Sequence, residues 1–183
     1  MKDITFITSN INKAKQVAKY SSFPISHKNI ELVEIQSLDP KEVIIHKAKE
    51  AFKILKSPVI VEDVSVVIHA MGRLPGPFIK FFEIELGVEE ICKIVNLYSD
   101  RSATIGIIFA FFDGKLLKTF PATIKGTVSD KPKGEGGFGF DPIFTPQGYA
   151  QTRAQMNEKN YDETSYRRIA FEKLQKFLTA SLN

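Results

Sequence analysis

The chain has 183 residues, of which 43% are hydrophobic and 25% charged, and its formal net charge is +4. This length and composition predict one domain, over residues 1–183, with a substantial core. The single cysteine, Cys92, excludes an internal disulfide and a multi-cysteine zinc site. No apolar leader opens the sequence and no apolar run is long enough for a membrane span, so we expect a cytoplasmic protein without a membrane partner.

The first third of the chain alternates strand and helix patterns. A β-branched alternation predicts a strand over residues 3–8, and Asn10 follows it as the N-cap of a helix over 11–20. A second strand is predicted over 30–36. Asp39 is then the N-cap of a helix that runs to residue 55, because the proline after it suits the first helical position.

The rest of the chain places a β-hairpin between helices, so the predicted sheet is mixed and the fold class is α/β. Asp113-Gly114, between two strand patterns, is a strong signal for a two-residue type I′ turn. The elements predicted after residue 57 are strands at 58–63 and 65–70, helices at 78–86 and 88–98, hairpin strands at 102–112 and 115–129, and a final helix at 165–182.

A glycine-rich segment, GEGGFGFDPIF, covers residues 134–144, and we call residues 134–141 the glycine loop. Its glycines match the G-x-G-x-x-G pattern of phosphate-binding loops. A dinucleotide-binding loop needs a strand before the glycines and a helix after them, and neither is predicted here, since Pro142 and Pro146 oppose a helix. The pattern match is therefore incidental.

The aromatic residues of the glycine loop suggest a different ligand. Phe138 and Phe140 flank Gly139, and flat side chains on a close-approach backbone suit stacking against a base. Asp141 would accept hydrogen bonds from ring N–H groups. The alternative is a β-bulge corner with two core phenylalanines, and on the loop alone that alternative is favoured.

Acidic residues occur at two predicted strand ends. Glu62 and Asp63 close an apolar strand, where a carboxylate is costly unless it meets a cation or hydrogen-bond donors. Glu34 lies near the end of the preceding strand. Glu34 and Asp63 would suit Mg²⁺, which takes one or two carboxylates together with water and phosphate oxygens. Two solvated strand-end acids are the alternative.

The first strand–helix junction, TSNINK, is a candidate anion site. Thr8, Ser9 and Asn10 offer polar groups beside the free N–H groups of a helix N-terminus, with Lys13 one turn further on. The alternative is ordinary capping by Asn10 with a solvated Lys13. Lys80 stands in an apolar helix, which indicates either a snorkelling stem or a ligand contact.

Together these segments resemble the inosine triphosphate pyrophosphatase family, also called the dITP/XTP pyrophosphatases. The resemblance runs almost end to end and keeps the order of the motifs. TSNINK is similar to the family's T-G-N-x-x-K, VEIQ to its metal-ligand Glu segment, VEDVS to its acidic pair, LPGPFIKFF to its L-P-G-x-x-x-K, GFGFDPIF to its F-G-[YW]-D-P loop and TSYRR to its S-H-R.

The resemblance implies a long mixed sheet with flanking helices, forming two lobes around a central nucleotide cleft, and a homodimer. It implies Mg²⁺-dependent hydrolysis of ITP, dITP or XTP to the monophosphate and pyrophosphate. Glu34 and Asp63 would hold the metal, and Asp63 would also accept the proton of the attacking water. The implied substrate-binding residues are Thr8, Ser9, Asn10, Lys13, Lys47, Lys80, Phe138, Gly139, Phe140, Asp141, Lys159, Tyr166 and Arg167.

Two other functions stay open at this point. Tyr166 stands where the family has a base-reading histidine, which favours a nucleotide pyrophosphatase with altered base preference, closer to the Maf-like enzymes. The basic pI, near 9.0, favours a non-catalytic nucleotide or nucleic-acid binder. The combination of Glu34, Asp63 and Lys13 opposes that binder, so we expect a small-molecule triphosphate substrate and no stable nucleic-acid partner.

Overall fold

The computed structural model describes residues 4–182, so residues 1–3 and 183 of the predicted domain lie outside the described part. The helices are α1 (Ile11–Tyr20), α2 (Pro40–Leu55), α3 (Ile79–Glu85), α4 (Gly87–Val95), α5 (Glu158–Glu163) and α6 (Tyr166–Leu182). The strands are β1 (Thr5–Ile7), β2 (Ser26–Lys28), β3 (Val59–Ile68), β4 (Pro75–Gly76), β5 (Ser102–Phe112), β6 (Leu117–Val128) and β7 (Phe144–Pro146).

The strands form one sheet in the order β2-β1-β3-β5-β6-β7, with β4 paired to β3. β1 pairs in parallel with both neighbours, so that Phe6 lies opposite His27 on one side and Ile60 on the other. β4 runs antiparallel to β3, and β7 runs antiparallel to β6. The predicted α/β class with a mixed sheet is therefore confirmed.

The chain folds into two compact units. The first unit holds residues 4–63, 107–122 and 167–182, and the second holds Val64–Gly106 and Thr123–Tyr166. The chain passes from one unit to the other within β3, β5 and β6, and again at the start of α6. One domain with a cleft between two lobes stays a prediction.

The caps of the first two helices lie where the sequence predicts them. Asn10 caps α1, and Asp39 caps α2 by accepting a hydrogen bond from the backbone N–H of Lys41 at 2.8 Å. A capped end satisfies helix donors that otherwise have no intrahelical partner, which is worth about 1 kcal/mol. These caps fix where α1 and α2 begin, and both helices carry predicted site residues.

The first unit packs helices against both faces of its strands, because alternate residues of a strand point to opposite sides. On one face, Ile44, Ala48 and Ala51 of α2 pack in a buried cluster with side chains of β1, β3 and β5. On the other face, the ring of Phe109 lies 6.1 Å from that of Phe6 and 5.6 Å from that of Phe171 in α6. The predicted apolar face of the last helix is confirmed, since Ala170, Leu174 and Leu178 are buried and Phe177 contacts Phe111 and Phe120.

In the second unit, α3 and α4 contact each other, and α4 buries Ile91, Cys92 and Val95. None of the helices in the described residues has the length and apolarity that crossing a membrane requires.

Two predictions about strands are wrong. The predicted strand at 30–36 has no ladder: Ile30 and Leu32 pack on the core of the first unit while Val33 is exposed, and the second strand is β2. The two strands predicted at 58–63 and 65–70 are one continuous strand, β3, because no turn residue separates them. β4, β7 and α5 have no counterpart among the predicted elements.

The hairpin between β5 and β6 is confirmed, but its predicted two-residue type I′ turn is wrong. That turn needs a positive φ at both central residues, and Asp113 does not have one. Instead, Asp113 Oδ1 accepts hydrogen bonds from the backbone N–H groups of Lys115 and Leu116, at 2.8 and 2.7 Å. The aspartate side chain thus closes a wider loop.

Candidate active site

The junction between β1 and α1 is built by its own polar side chains. Asn10 Oδ1 accepts hydrogen bonds from the backbone N–H groups of Asn12 and Lys13, at 2.9 and 3.3 Å. Thr8 Oγ1 accepts from the backbone N–H of Asn10 at 3.1 Å, and Ser9 is exposed. Capping by Asn10 is confirmed, and the role of these residues toward an anion stays a prediction.

Glu62 is a buried carboxylate that holds two cations, with its side chain 1% exposed. Arg167 donates from Nε and Nη2 to the two oxygens of Glu62, at 2.8 and 3.0 Å. Lys13 Nζ lies 3.1 Å from Glu62 Oε1, so Lys13 is ion-paired and not simply solvated. Arg167 Nη1 donates to Gln16 Oε1 at 2.5 Å, so each nitrogen of that guanidinium already has a partner.

Asp63 faces a different neighbour, because adjacent residues of β3 point to opposite faces of the sheet. Its Oδ1 lies 3.0 Å from Nζ of Lys47, which projects from α2. Lys47 Nζ also lies 2.5 Å from Glu34 Oε1. Glu34 therefore joins Asp63 as predicted, although it does so from the extended segment between β2 and α2 and not from a strand.

Burial and charge shift the pKa values of these groups in different directions. Burial alone would raise the pKa of Glu62, but Arg167 and Lys13 outweigh it and lower that pKa from 4.5 to about 2. Burial raises the pKa of Asp63 above its ordinary value, and Lys47 offsets only part of the rise. For Lys47, burial lowers the pKa, while Asp63 and Glu34 outweigh it and raise the pKa.

The two clusters carry opposite excess charge. Glu62 with Lys13 and Arg167 has one negative and two positive charges, which leaves an excess of one positive charge. Lys47 with Glu34 and Asp63 has one positive and two negative charges, which leaves an excess of one negative charge. The first cluster favours an anion and the second favours a further cation.

The second cluster has donors that suit a divalent cation. Glu34 and Asp63 converge on one positive centre, the Lys47 ammonium, at 2.5 and 3.0 Å. The described residues contain no group of three or more His, Cys, Asp or Glu side chains that could hold a metal ion. Two carboxylates nevertheless fit Mg²⁺, which usually completes its coordination with water and substrate phosphates.

The glycine loop, in the second unit, folds tightly on its own surroundings. A Cβ atom on Gly137, which has φ +70°, would lie 2.3 Å from Asp141 Oδ2. A Cβ on Gly134 or Gly136 would lie within 3.0 Å of the backbone of Ala154. The glycines therefore allow close approach of other parts of the protein. This packing agrees with the interpretation that the G-x-G-x-x-G match is incidental.

Asp141 is the last residue of this loop and is 2% exposed. Arg153 Nε donates to its Oδ1 at 2.7 Å. Tyr161 Oη and the backbone N–H of Phe138 donate to its Oδ2, at 2.8 and 3.0 Å. Because both oxygens are engaged, the predicted role of Asp141 in reading the base edge gains no support from this geometry.

The remaining predicted residues differ in exposure. Phe138 is half-buried and Gly139 exposed, whereas Phe140 is buried, as the core alternative predicted for it. Tyr166 is also buried, with the guanidinium carbon of Arg153 lying 5.4 Å from its ring centroid.

Two predicted lysines, Lys80 and Lys159, belong to the second unit, whereas the Glu62 and Asp63 clusters belong to the first. Lys80 is exposed in the first turn of α3. Lys159 is 82% exposed on α5, where its Nζ lies 4.0 Å from Glu163 Oε1. A contact of either lysine with phosphate stays a prediction.

Residues 4–177 match the model of a known family, whose description is the Ham1 family. The chain belongs to the Ham1 family. A dITP/XTP pyrophosphatase of Saccharolobus solfataricus is 37% identical over 178 residues, covering 96% of this chain and 93% of the relative. An inosine triphosphate pyrophosphatase of Scheffersomyces stipitis is 34% identical over 195 residues, covering 98% of this chain and 100% of the relative.

A solved structure of the Staphylococcus aureus Ham1 protein has the same fold, with a TM-score of 0.84 and 26% identity, covering 98% of this chain and 100% of that one. The resemblance inferred from short motifs and the predicted fold class are therefore both confirmed.

Sequence reasoning assigned this Ham1-family chain no role for two of its most buried polar residues. Glu62 was noted as an acid that needs a cation, but only Asp63 was given a site role. No motif marks Arg153, which is a lone arginine in TRAQM. Its partners Asp141 and Thr164 are 12 and 11 residues away in sequence, and no local pattern connects them.

Proposed function

We propose that this chain hydrolyses non-canonical purine nucleoside triphosphates (dITP, ITP and XTP) to the monophosphate and pyrophosphate. The observation that carries the proposal is the pair of oppositely charged clusters at Glu62 and Asp63. One favours phosphate and the other favours a cation with a proton acceptor. The names of the Saccharolobus and Scheffersomyces relatives support the same activity.

Lys13 is the group that we assign to the phosphates in the first cluster. Glu62 holds its Nζ at 3.1 Å, and Arg167 occupies both oxygens of the same carboxylate, so the cluster keeps its positive excess. Holding a side chain in place before substrate arrives reduces the entropy lost on binding. Glu62 and Arg167 thus act as positioning residues for Lys13.

Asp63 is the group that we assign to proton transfer from the attacking water. Burial raises its pKa, which makes the carboxylate a stronger base than an exposed aspartate. Lys47 keeps the carboxylate oriented at 3.0 Å and, on releasing it, would donate to a phosphate oxygen. Mg²⁺, when held by Glu34 and Asp63, would neutralise part of the charge on the phosphates.

The glycine loop is the part of the second unit that we assign to the base. Phe138 is half-buried and offers a flat face, and Gly139 beside it exposes backbone. A site that pairs with the 6-oxo group and N1–H of hypoxanthine or xanthine leaves polar groups unpaired with adenine. Such mispairing discriminates by about 10⁴–10⁵-fold in suitable sites.

The test is a substrate panel with a mechanistic variant. Wild-type protein with Mg²⁺ is incubated with dITP, XTP, dATP, dGTP, dCTP and TTP, and pyrophosphate and phosphate are measured separately. We expect pyrophosphate from dITP and XTP, little from dATP, and a loss of kcat by orders of magnitude in Asp63→Asn. Asp130→Asn, an exposed carboxylate paired with Lys133, is the matched control.

The outcomes separate the alternatives. No turnover of any triphosphate would reject the enzyme and leave a nucleotide binder. Equal turnover of dITP and dATP would favour a pyrophosphatase with altered base preference, which Tyr166 favours because a phenol replaces the family histidine. Tyr166→His tests that second candidate: an unchanged dITP/dGTP ratio means that position 166 does not read the base.

We also propose a homodimer working in the cytoplasm, where free nucleoside triphosphates are made. The homodimer rests on the family resemblance, and the cytoplasmic location rests on the expectation from the sequence. Light scattering of the purified protein measures the oligomeric state directly, and a mass equal to one chain of 20.6 kDa would contradict the homodimer.

A further inference from the structure

Arg153 is one of the least accessible charged residues of the second unit, with 2% exposure. It lies in a short 3₁₀ turn, Arg153–Gln155, which the capping box of Thr152 and Gln155 holds in place. A buried guanidinium is costly unless its donors are satisfied and its charge is paired. The contacts of Arg153 therefore indicate what the residue is for.

Those contacts join three separate segments of the unit. Nε donates to Asp141 Oδ1 at 2.7 Å, which reaches the end of the glycine loop. Nη1 donates to the backbone O and to Oγ1 of Thr164, both at 2.7 Å, and to the backbone O of Tyr161 at 3.3 Å. One side chain thus ties the glycine loop to the C-terminal end of α5, just before α6 begins.

Two tyrosine rings lie against the same guanidinium. Its carbon lies 4.1 Å from the ring centroid of Tyr161 and 5.4 Å from that of Tyr166. A cation over an aromatic face gains attraction that grows as water is excluded. The Tyr161 hydroxyl also donates to Asp141 Oδ2 at 2.8 Å, so Tyr161 contacts both members of the Arg153–Asp141 ion pair.

Asp141 in turn fixes the backbone of the glycine loop. Its Oδ2 accepts from the backbone N–H of Phe138 at 3.0 Å, and Gly137 passes so close that a Cβ there would clash with it. The carboxylate is therefore directed at the protein. A base could reach it only by displacing Tyr161, Phe138 or Arg153.

We infer that Arg153 is a positioning residue for base recognition. Through Asp141, it holds Phe138 and Gly139 in the conformation that accepts the purine, and Asp141 itself does not read the base edge. The inference rests on the proposed function, because it concerns the same substrate. It predicts that loss of the Arg153–Asp141 pair weakens binding of all purine nucleotides alike and leaves the choice among them unchanged.

The experiment uses three graded variants of the full chain. Arg153→Lys keeps the charge but loses the fork geometry and the stacking, which makes it a non-conservative change at such a site. Asp141→Asn removes the charge of the partner. Tyr161→Phe removes one hydroxyl and keeps the ring over Arg153, so it is the mildest change. Arg73→Lys, at an exposed arginine of the same unit, is the matched control.

Two readouts separate this inference from a purely structural role. The first is the Kd for dITP and for dATP, measured by calorimetry in EDTA, and it needs no turnover. We expect the Kd for dITP to rise about tenfold in Arg153→Lys and about threefold in Tyr161→Phe, with the ratio of the two Kd values unchanged. The second is amide hydrogen exchange at Phe138, which we expect to accelerate in the same variants.

Each outcome decides the inference. A change in the dITP/dATP ratio in Asp141→Asn would show that Asp141 reads the base and would overturn it. Unchanged Kd and unchanged exchange at Phe138 in Tyr161→Phe and Arg153→Lys would also overturn it, as would a wild-type protein that binds no dITP. If wild-type protein binds dITP but never cleaves it, the proposed function fails while the inference is still decided by the Kd values.

Discussion

Glu62 and Asp63 are neighbours in sequence, yet their surroundings differ as much as those of residues far apart. Glu62 meets Arg167 and Lys13, which lower its pKa, whereas Asp63 meets Lys47 in a setting where burial raises its pKa. The two carboxylates therefore suit different tasks. Glu62 is held ionised beside its two cations, and the raised pKa of Asp63 supports the proposed role of that carboxylate as a proton acceptor.

We expect Glu62→Gln to lower the free energy of unfolding by about 3 kcal/mol, because it leaves the buried Arg167 and the half-buried Lys13 facing a neutral amide. Urea denaturation at neutral pH measures the change. The control is Glu172→Gln, which breaks the half-exposed Arg168–Glu172 pair with a 2.7 Å contact and should cost no more than about 1 kcal/mol. Equal losses in the two variants would contradict a special role for the buried pair.

Cys92 gives a prediction about pH. Burial raises the pKa of its thiol from 9.0 to about 11, so the thiol stays protonated and unreactive at neutral pH. A pKa that is higher in the folded than in the unfolded state favours folding below pH 9 and loses that contribution as the pH rises toward 11. Relative to Cys92→Ala, the wild-type chain should therefore lose stability over that interval.

The measurement is the free energy of unfolding of both chains from pH 8 to pH 11, together with labelling by a thiol reagent. The folded protein should resist labelling at pH 8 and the urea-unfolded protein should not. Rapid labelling of the folded protein would contradict the burial of Cys92.

Residues of the site were predictable where a motif marks them and not where only the fold does. Asp63, Lys47 and Glu34 each match a family position, and they lie together in the structure, while their roles stay predictions. The pairing of Arg167 with Glu62 spans 105 residues, and nothing in either local sequence specifies it. For the same reason, the role of Arg153 could not be predicted, because its partner Asp141 is close only in the folded second unit.

Among secondary-structure elements, those with local signals were the predictable ones. Asn10 and Asp39 cap their helices by bonds to backbone groups two or three residues away, and such bonds can be predicted from the sequence. The strand predicted at 30–36 is wrong because the alternating apolar residues of this segment pack on the core without pairing to a neighbouring strand. Strand pairing is decided by distant partners, which sequence periodicity does not specify.

Two glycine substitutions in the second unit, one outside the glycine loop and one within it, distinguish two separate steric effects. Gly148→Ala, at φ +88° with nothing within 4 Å, tests the backbone conformation alone. It should cost about 1–2 kcal/mol. Gly137→Ala, at φ +70°, also forces a Cβ against Asp141, so it should cost about 1–3 kcal/mol more.

Thermal unfolding of both variants and KM for dITP are the measurements. Only Gly137→Ala should raise KM, since it alone disturbs Asp141 and Phe138. Equal KM values in the two variants would mean that the loop tolerates the displaced carboxylate.

At the scale of the whole molecule, the net charge of +4 conceals the two local excesses of opposite sign in the first unit. A modestly basic protein therefore has a locally acidic cluster, which is the site proposed for Mg²⁺. This cluster predicts a metal-dependent stability that does not require catalysis.

We expect Mg²⁺ to raise the midpoint of thermal unfolding, by an amount that corresponds to about 2.7 kcal/mol at 100 times its Kd. Glu34→Gln should reduce the shift, because one of the two converging carboxylates is lost. Glu31→Gln, at an exposed glutamate on the same segment, is the control. EDTA should reverse the shift in the wild-type protein, and an equal Mg²⁺ shift in both variants would contradict the assigned ligands.

The continuity of β3 makes the site sensitive to chain length as well as to side-chain identity. Because the faces alternate, deleting one codon between Val59 and Glu62 would reverse the parity of the strand and present each carboxylate to the other's partners. Exchange of one apolar residue for another, such as Ile60→Val, keeps that parity. Genes for this enzyme should therefore accept apolar point changes in β3 far more readily than single-codon insertions or deletions.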